Sequence, residues 1–151
     1  MSTLDEVRKE LDKDELDYPE LALSYGAAVL PHLKALVAED EPRIAPKAAY
    51  LAGIIAAEGS HEIVARAAQS RHDVVRVAAA AVATALPAEQ GASVTSELLG
   101  DADAGVRIRA MKSAAAIDSP ALAARLKTMS EQDDDPDVRG LAASTYQGMR
   151  R

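Results

Sequence analysis

Cysteine, phenylalanine and tryptophan are absent from the 151 residues, and aromatics make up only 3%. Without cysteine there is no disulfide framework, no thiolate metal site and no cysteine nucleophile. The lack fits a reducing cytoplasm, which is the compartment expected. Long apolar runs are missing too, because no uninterrupted stretch approaches the roughly 18 residues of a membrane span. The first residues, MSTLDEVRKELDKDEL, are charged and lack an apolar centre, so they do not read as a signal peptide. No membrane role is expected. Basic residues are also scarce. The net charge is −7 and the isoelectric point about 4.9, whereas a nucleic-acid binder shows a basic surface, so no nucleic-acid partner is expected.

Hydrophobic residues nevertheless reach 48%, and alanine supplies much of that share. Alanine is the best helix former and a poor strand former. The chain therefore reads as all-α, with many close helix contacts that each contribute little. Its length suits about one domain.

The most apolar stretch is Asp73–Leu86, DVVRVAAAAVATAL. Its charges, Asp73 and Arg76, both lie in the first turn. A helix that is apolar all round is expected to be buried on all sides, so other helices must flank it. The stretch has three variants elsewhere. Aliphatic anchors at Ile44, Val75, Val106 and Val138 stand 31, 31 and 32 residues apart. Arginine follows three of the four directly, and alanine lies four residues after each. A polar, mostly acidic turn precedes every anchor. A second apolar segment precedes each turn: Ala27–Val37, Ser60–Gln69, Ala88–Leu99 and Pro120–Met129. Pro31 marks a start or kink in the first. Ser60 and Ser119 read as N-caps, Pro120 as a first helical residue and Gly100 as a C-cap. Each unit is thus helix, turn, helix, with boundaries near 26–58, 59–87, 88–118 and 119–151.

Ahead of these, Leu4, Val7 and Leu11 mark one apolar stripe on a charged helix. Tyr18–Tyr25 is a further short helix ended by Gly26. Residues 1–25 form an N-terminal cap of the kind a solenoid needs, and no second domain is expected.

A period near 31, an aliphatic–Arg pair, downstream alanines and an Asp–Pro-type turn resemble HEAT repeats, especially the short bacterial kind also seen in phycobilisome-lyase-like proteins. The resemblance covers about residues 26–149. It implies a right-handed α–α superhelix of four helix pairs plus the cap, with the second helices lining a concave side. It also implies a charge ladder in which an Asp six residues before the repeat arginine joins it, linking successive repeats. Asp101 with Arg107 and Asp133 with Arg139 fit that spacing. Glu39 falls opposite Ala45 and Ser70 opposite Arg76, so the ladder is expected to be incomplete at its N-terminal end. The resemblance implies no reaction.

Nothing in the chain suggests catalysis. His32, His61 and His72 form no i, i+4 pair and read as surface or helix-end residues. His61-Glu62 is a single pair, too few for a two-metal site. The run Asp133–Asp137 lacks the glycine and glutamate that a helix–loop–helix calcium loop requires, so it reads as a solvated, capping turn. No catalytic residue, metal or cofactor is expected.

Surface is what remains. Positions two, five and six after each anchor are expected on the concave side: Pro46, Ala49 and Tyr50; Val77, Ala80 and Ala81; Ile108, Met111 and Lys112; Gly140, Ala143 and Ser144. Tyr50, Val77, Ile108 and Met111 read first as a groove for an apolar partner helix or peptide. Ala80 and Ala81 read first as helix–helix contacts. The acidic turns (Glu39, Asp40, Glu41, Asp101, Asp103 and Asp133–Asp137) form a second candidate edge, more simply read as solvated caps. The expected function is a non-enzymatic scaffold or adaptor for another protein. Alternatives are an accessory subunit of a lyase or other cofactor-handling enzyme that helps hold a tetrapyrrole, and a homo-oligomer formed through the same strip.

Overall fold

The computed structural model describes residues 2–150. Among them are ten α-helices and no strand: α1 Leu4–Leu11, α2 Tyr18–Tyr25, α3 Leu30–Glu39, α4 Ala45–Ile55, α5 Ser60–Ala67, α6 Asp73–Val82, α7 Ala88–Leu98, α8 Ala104–Ile117, α9 Pro120–Gln132 and α10 Pro136–Met149. Helices α4, α6, α8 and α10 stack successively in one row, while α3, α5, α7 and α9 form the other. The N-terminal segment extends both rows, since α2 packs on α4 and α1 on α3. The architecture is an all-α solenoid.

Composition explains the two rows. The first supplies large side chains to the core: Leu11, Leu33, Leu36, Leu98 and Leu126 are 0–1% exposed. The second supplies small ones, with Ala45, Ala48, Ala52, Ala79, Ala110, Ala114 and Ala142 wholly buried. Small side chains let second-row axes approach closely, and each added contact gains dispersion energy at interior packing density. The four anchors lie in this seam at 0–3% exposure. Ser113, also buried, donates from Oγ to the Ala80 carbonyl at 2.6 Å and ties α8 to α6.

Local chemistry sets the ends. Thr3, Asp17, Asp103, Ser119 and Asp135 cap their helices by accepting backbone N–H groups, which satisfies donors that lack an intrahelical partner. Ser60 is not such a cap. It is the first residue of α5 behind Gly59, and its Oγ accepts from Ala57 N at 3.1 Å. Gly100 follows Leu99, the C-cap of α7, by one residue. Pro31 sits in the first turn of α3, after a 3-10 turn at Gly26–Val29.

Ala56 ends α4 at φ 49°, ψ 39°, a left-handed conformation that costs an L-residue about 1–2 kcal/mol. It is exposed, so it contributes little packing. Ala56→Gly is expected to raise stability by about 0.5–1 kcal/mol, the relieved strain being partly offset by a more flexible unfolded chain. Urea denaturation of the two proteins measures it.

Two expectations change. Asp73–Leu86 is not one helix: α6 stops at Val82, a 3-10 turn covers Ala83–Ala85, and Leu86 is extended before Pro87, as the proline ring requires of the preceding residue. Nor is the helix buried on all sides, because Val74 is 48% exposed and Val77, Ala78 and Ala81 are half-buried. Stacking within one row and against the other covers only part of a helix, and one arc is left over. One interrupted segment does approach a span in composition. Tyr18–Glu39 has the length and mean hydropathy (1.4) of a span, with 28% of that window buried. Polar residues interrupt the run, which hides it from a search for unbroken apolar sequence. Gly26, at φ 62°, ψ −167°, breaks it between α2 in one row and α3 in the other.

Candidate protein-docking face

The uncovered arc recurs on every second-row helix. On α4 it holds Pro46, Lys47, Tyr50 and Ile54; on α6, Val74, Val77, Ala78 and Ala81; on α8, Ile108, Arg109 and Lys112; on α10, Gly140, Ala143 and Ser144. The cause is helical geometry. With 3.6 residues per turn, positions two, three and six after the anchor share one side.

On α4, α6 and α8 position five turns into the stack instead, while its counterpart on the terminal helix α10, Ala143, stays exposed. Ala49, Ala80 and Met111 are all 0% exposed. Met111 and Ala80 therefore cannot touch a docked partner and do not belong to the strip. Tyr50, Val77, Ala81 and Ile108 are half-buried, and Lys112 is exposed. Sequence alone does not separate the two places for Met111, because methionine suits an adaptable binding surface and a tight core equally well.

Several apolar residues of the face lie outside the expected positions: Leu23, Ile54 and Ile55, and on α6 also Val74 and Ala78. Leu23 is 88% exposed and lies with Pro19, Ala22, Ala27, Ile54 and Ile55 around a shallow depression of about 470 Å³. It escaped notice because α2 carries no anchor–Arg pair to mark it as a row member. Ile54 and Ile55 lie ten and eleven residues after Ile44, beyond the six positions considered. Exposed apolar side chains that adjoin one another mark contact surfaces more often than isolated ones do.

Tyr50 packs on Tyr18 of α2 with ring centroids 4.7 Å apart and planes tilted by 59°. Burial, and then the neighbouring Tyr50, push the Tyr18 hydroxyl above the usual tyrosine range.

The ladder arginines lie at the turn edge. Arg76 donates from Nε and Nη2 to Asp101 at 2.8 and 3.2 Å, and from Nη1 to the Ser70 carbonyl at 2.9 Å. Arg107 repeats this one unit on, reaching Asp133 at 3.0 Å with both nitrogens and the Asp101 carbonyl at 2.9 Å. Each arginine thus grips its own turn through a backbone carbonyl and the following unit through a carboxylate. Arg139 bonds the Asp133 carbonyl at 2.6 Å. At the N-terminal end another arrangement takes over, in which Ser70 Oγ donates to Asp40 at 2.6 Å, Arg8 pairs with Glu39 and Arg43 with Asp12.

The acidic edge is therefore largely engaged. Asp101, Asp103, Asp133 and Asp135 accept hydrogen bonds within the turns. The Arg8 hydrogen bond holds the Glu39 carboxyl below the usual carboxylate range, and Lys34 does the same for Glu62 at 2.9 Å. His32 Nε2 lies 3.0 Å from the Ser2 carbonyl. The described residues contain no cluster of three or more metal-ligating side chains.

The family model described as HEAT repeats matches residues 60–147, more than half of the chain. No curated protein matches it. The match carries the general HEAT description and does not distinguish the phycobilisome-lyase-like kind.

Proposed function

The chain belongs to the HEAT-repeat family, and we propose that it is a non-enzymatic scaffold whose second-row face, the concave side in that family, docks a segment of another protein. One observation carries the reading. Apolar side chains on successive second-row helices stay wholly or partly open: Leu23 beside Ile54 on α2 and α4, Val74 and Val77 on α6, and Ile108 on α8. Apolar area left in water costs about 25 cal/mol per Å², and a docked segment recovers it. The engaged turn edge offers fewer free groups than this strip, which favours the strip as the contact surface. A cysteine-free chain fits a reducing compartment such as the cytoplasm.

The test is affinity capture from the native host with the unaltered chain and with Leu23→Glu/Val77→Glu. Both positions are at least partly exposed, so the variant is expected to keep its helical circular dichroism. A specific partner is expected to fall by about tenfold or more, because burying a charge on an apolar contact costs several kcal/mol. Unchanged capture would falsify the assignment. An absorbing tetrapyrrole in the eluate, with no protein partner, would favour the cofactor-handling alternative instead.

A further inference from the structure

The docking face is not uniform along the solenoid. From α2 to α6 its outward residues are mostly apolar; the exceptions are Lys47, whose Nζ donates to the Lys13 carbonyl at 2.9 Å, and the exposed Glu20 and Asp73 beside Leu23 and Val74. On α8 the same register carries cations. Lys112 takes the position of Tyr50 and Ala81, and Arg109 that of Lys47 and Ala78. Neither Lys112 nor Arg109 forms an ion pair among the described residues. No nearby acid pairs with them: Asp137, exposed in the first turn of the adjoining α10, forms no ion pair among the described residues. Asp101 and Asp133 are held by the ladder arginines. Asp73, at the edge of the α6 arc, accepts from Val74 N at 2.8 Å. A chain of net charge −7 thus presents two unpaired cations beside an apolar strip.

Resting on the docking reading above, we propose that the occupant is an amphipathic helical segment, with an apolar stripe over α2–α6 and carboxylates over Arg109 and Lys112. The apolar stripe supplies contact area. The carboxylates set direction, since only one orientation places them on α8. Charge complementarity of this kind fixes register and suppresses wrong partners. A segment with lysines at that end would meet like charge.

The test uses the full chain and two labelled synthetic amphipathic helices that share one leucine stripe. One carries glutamates at a single end and its twin carries lysines there. Fluorescence anisotropy is expected to show the glutamate peptide binding about tenfold or more tighter at low salt, with the gap narrowing as salt rises. Arg109→Gln/Lys112→Gln is expected to bind both peptides alike. Equal binding to the unaltered chain would overturn the carboxylate assignment and leave apolar docking standing. Absence of binding by either peptide, or binding unchanged in Val77→Glu, would overturn the docking reading itself. Self-association in sedimentation that Val77→Glu abolishes would assign the strip to a second copy and overturn the proposal.

Discussion

Replacing Gly91 by alanine is expected to cost roughly 3 kcal/mol and to lower the melting temperature by about 10 °C. Gly91 lies in α7, where the chain returns to the first row after the 3-10 turn at Ala83–Ala85. A Cβ there would overlap the Ala83 carbonyl oxygen, with the Ala83 carbonyl carbon 3.4 Å and Ile117 Cδ1 3.6 Å away. The obstacle is backbone, so no rotamer change relieves it. The backbone must move, and α7 moves off the core that Val94 and Leu98 build. A gain of about 1 kcal/mol in helix propensity offsets part of the loss. Gly140→Ala in α10 is the control. Its Cβ would meet nothing within 4 Å, so the propensity gain stands alone and stability should rise slightly. Calorimetry of both variants decides the matter, and an unchanged melting point for Gly91→Ala would mean that the close approach of α7 is not needed.

The second large effect concerns the ladder. Arg107→Ala is expected to destabilise by about 2–4 kcal/mol. Arg107 and Asp133 are only 13% and 8% exposed at their side chains, so removing the guanidinium leaves a nearly buried carboxylate uncompensated. It also strips the Asp101 and Ala102 carbonyls of a donor. Asp133 keeps one hydrogen bond, from the Asp135 N–H, which keeps the cost at the lower end for a buried pair. Arg107→Lys should recover only part of the loss, because an ammonium cannot span two carboxylate oxygens and a carbonyl as the planar fork does. A double-mutant cycle with Asp133→Ala should give a coupling of about 1–3 kcal/mol. The Arg43–Asp12 pair offers the contrast. Its partners are 63% and 49% exposed, and Arg43→Ala should cost under about 1 kcal/mol. Equal losses at Arg43 and Arg107 would contradict a structural role specific to the ladder.

Sequence periodicity located the anchors well because Ile44, Val75, Val106 and Val138 each repeat one burial environment. The turns were legible for a related reason, since Asp103, Ser119 and Asp135 are residues whose side chains compete for backbone N–H groups. The face of α6 was not legible. In DVVRVAAAAVATAL nearly every position is apolar, so the helical period that separates a covered side from an open one vanishes. The fate of Met111 depended on which way one position turns toward its neighbour, and hydrophobicity carries no information about that. The place of α2 in the second row was hidden because its contacts with α4 follow from three-dimensional stacking rather than from a repeated motif.

The ladder spacing is a mixed case. Asp101 and Arg107 do meet, six residues apart, but through the Asp101 carbonyl. The side-chain partner of Asp101 is Arg76, in the preceding unit. A spacing within one repeat cannot reveal a bond between repeats.

The most direct measurement is site-specific photo-crosslinking in the native host, with the reactive residue placed once at Ala81 on the second-row face and once at Ala124, exposed on α9 in the first row. The account predicts a discrete adduct from Ala81 that disappears in the Leu23→Glu/Val77→Glu background, and none from Ala124. Adducts from Ala124 alone, or Ala81 adducts that persist in that background, would contradict it.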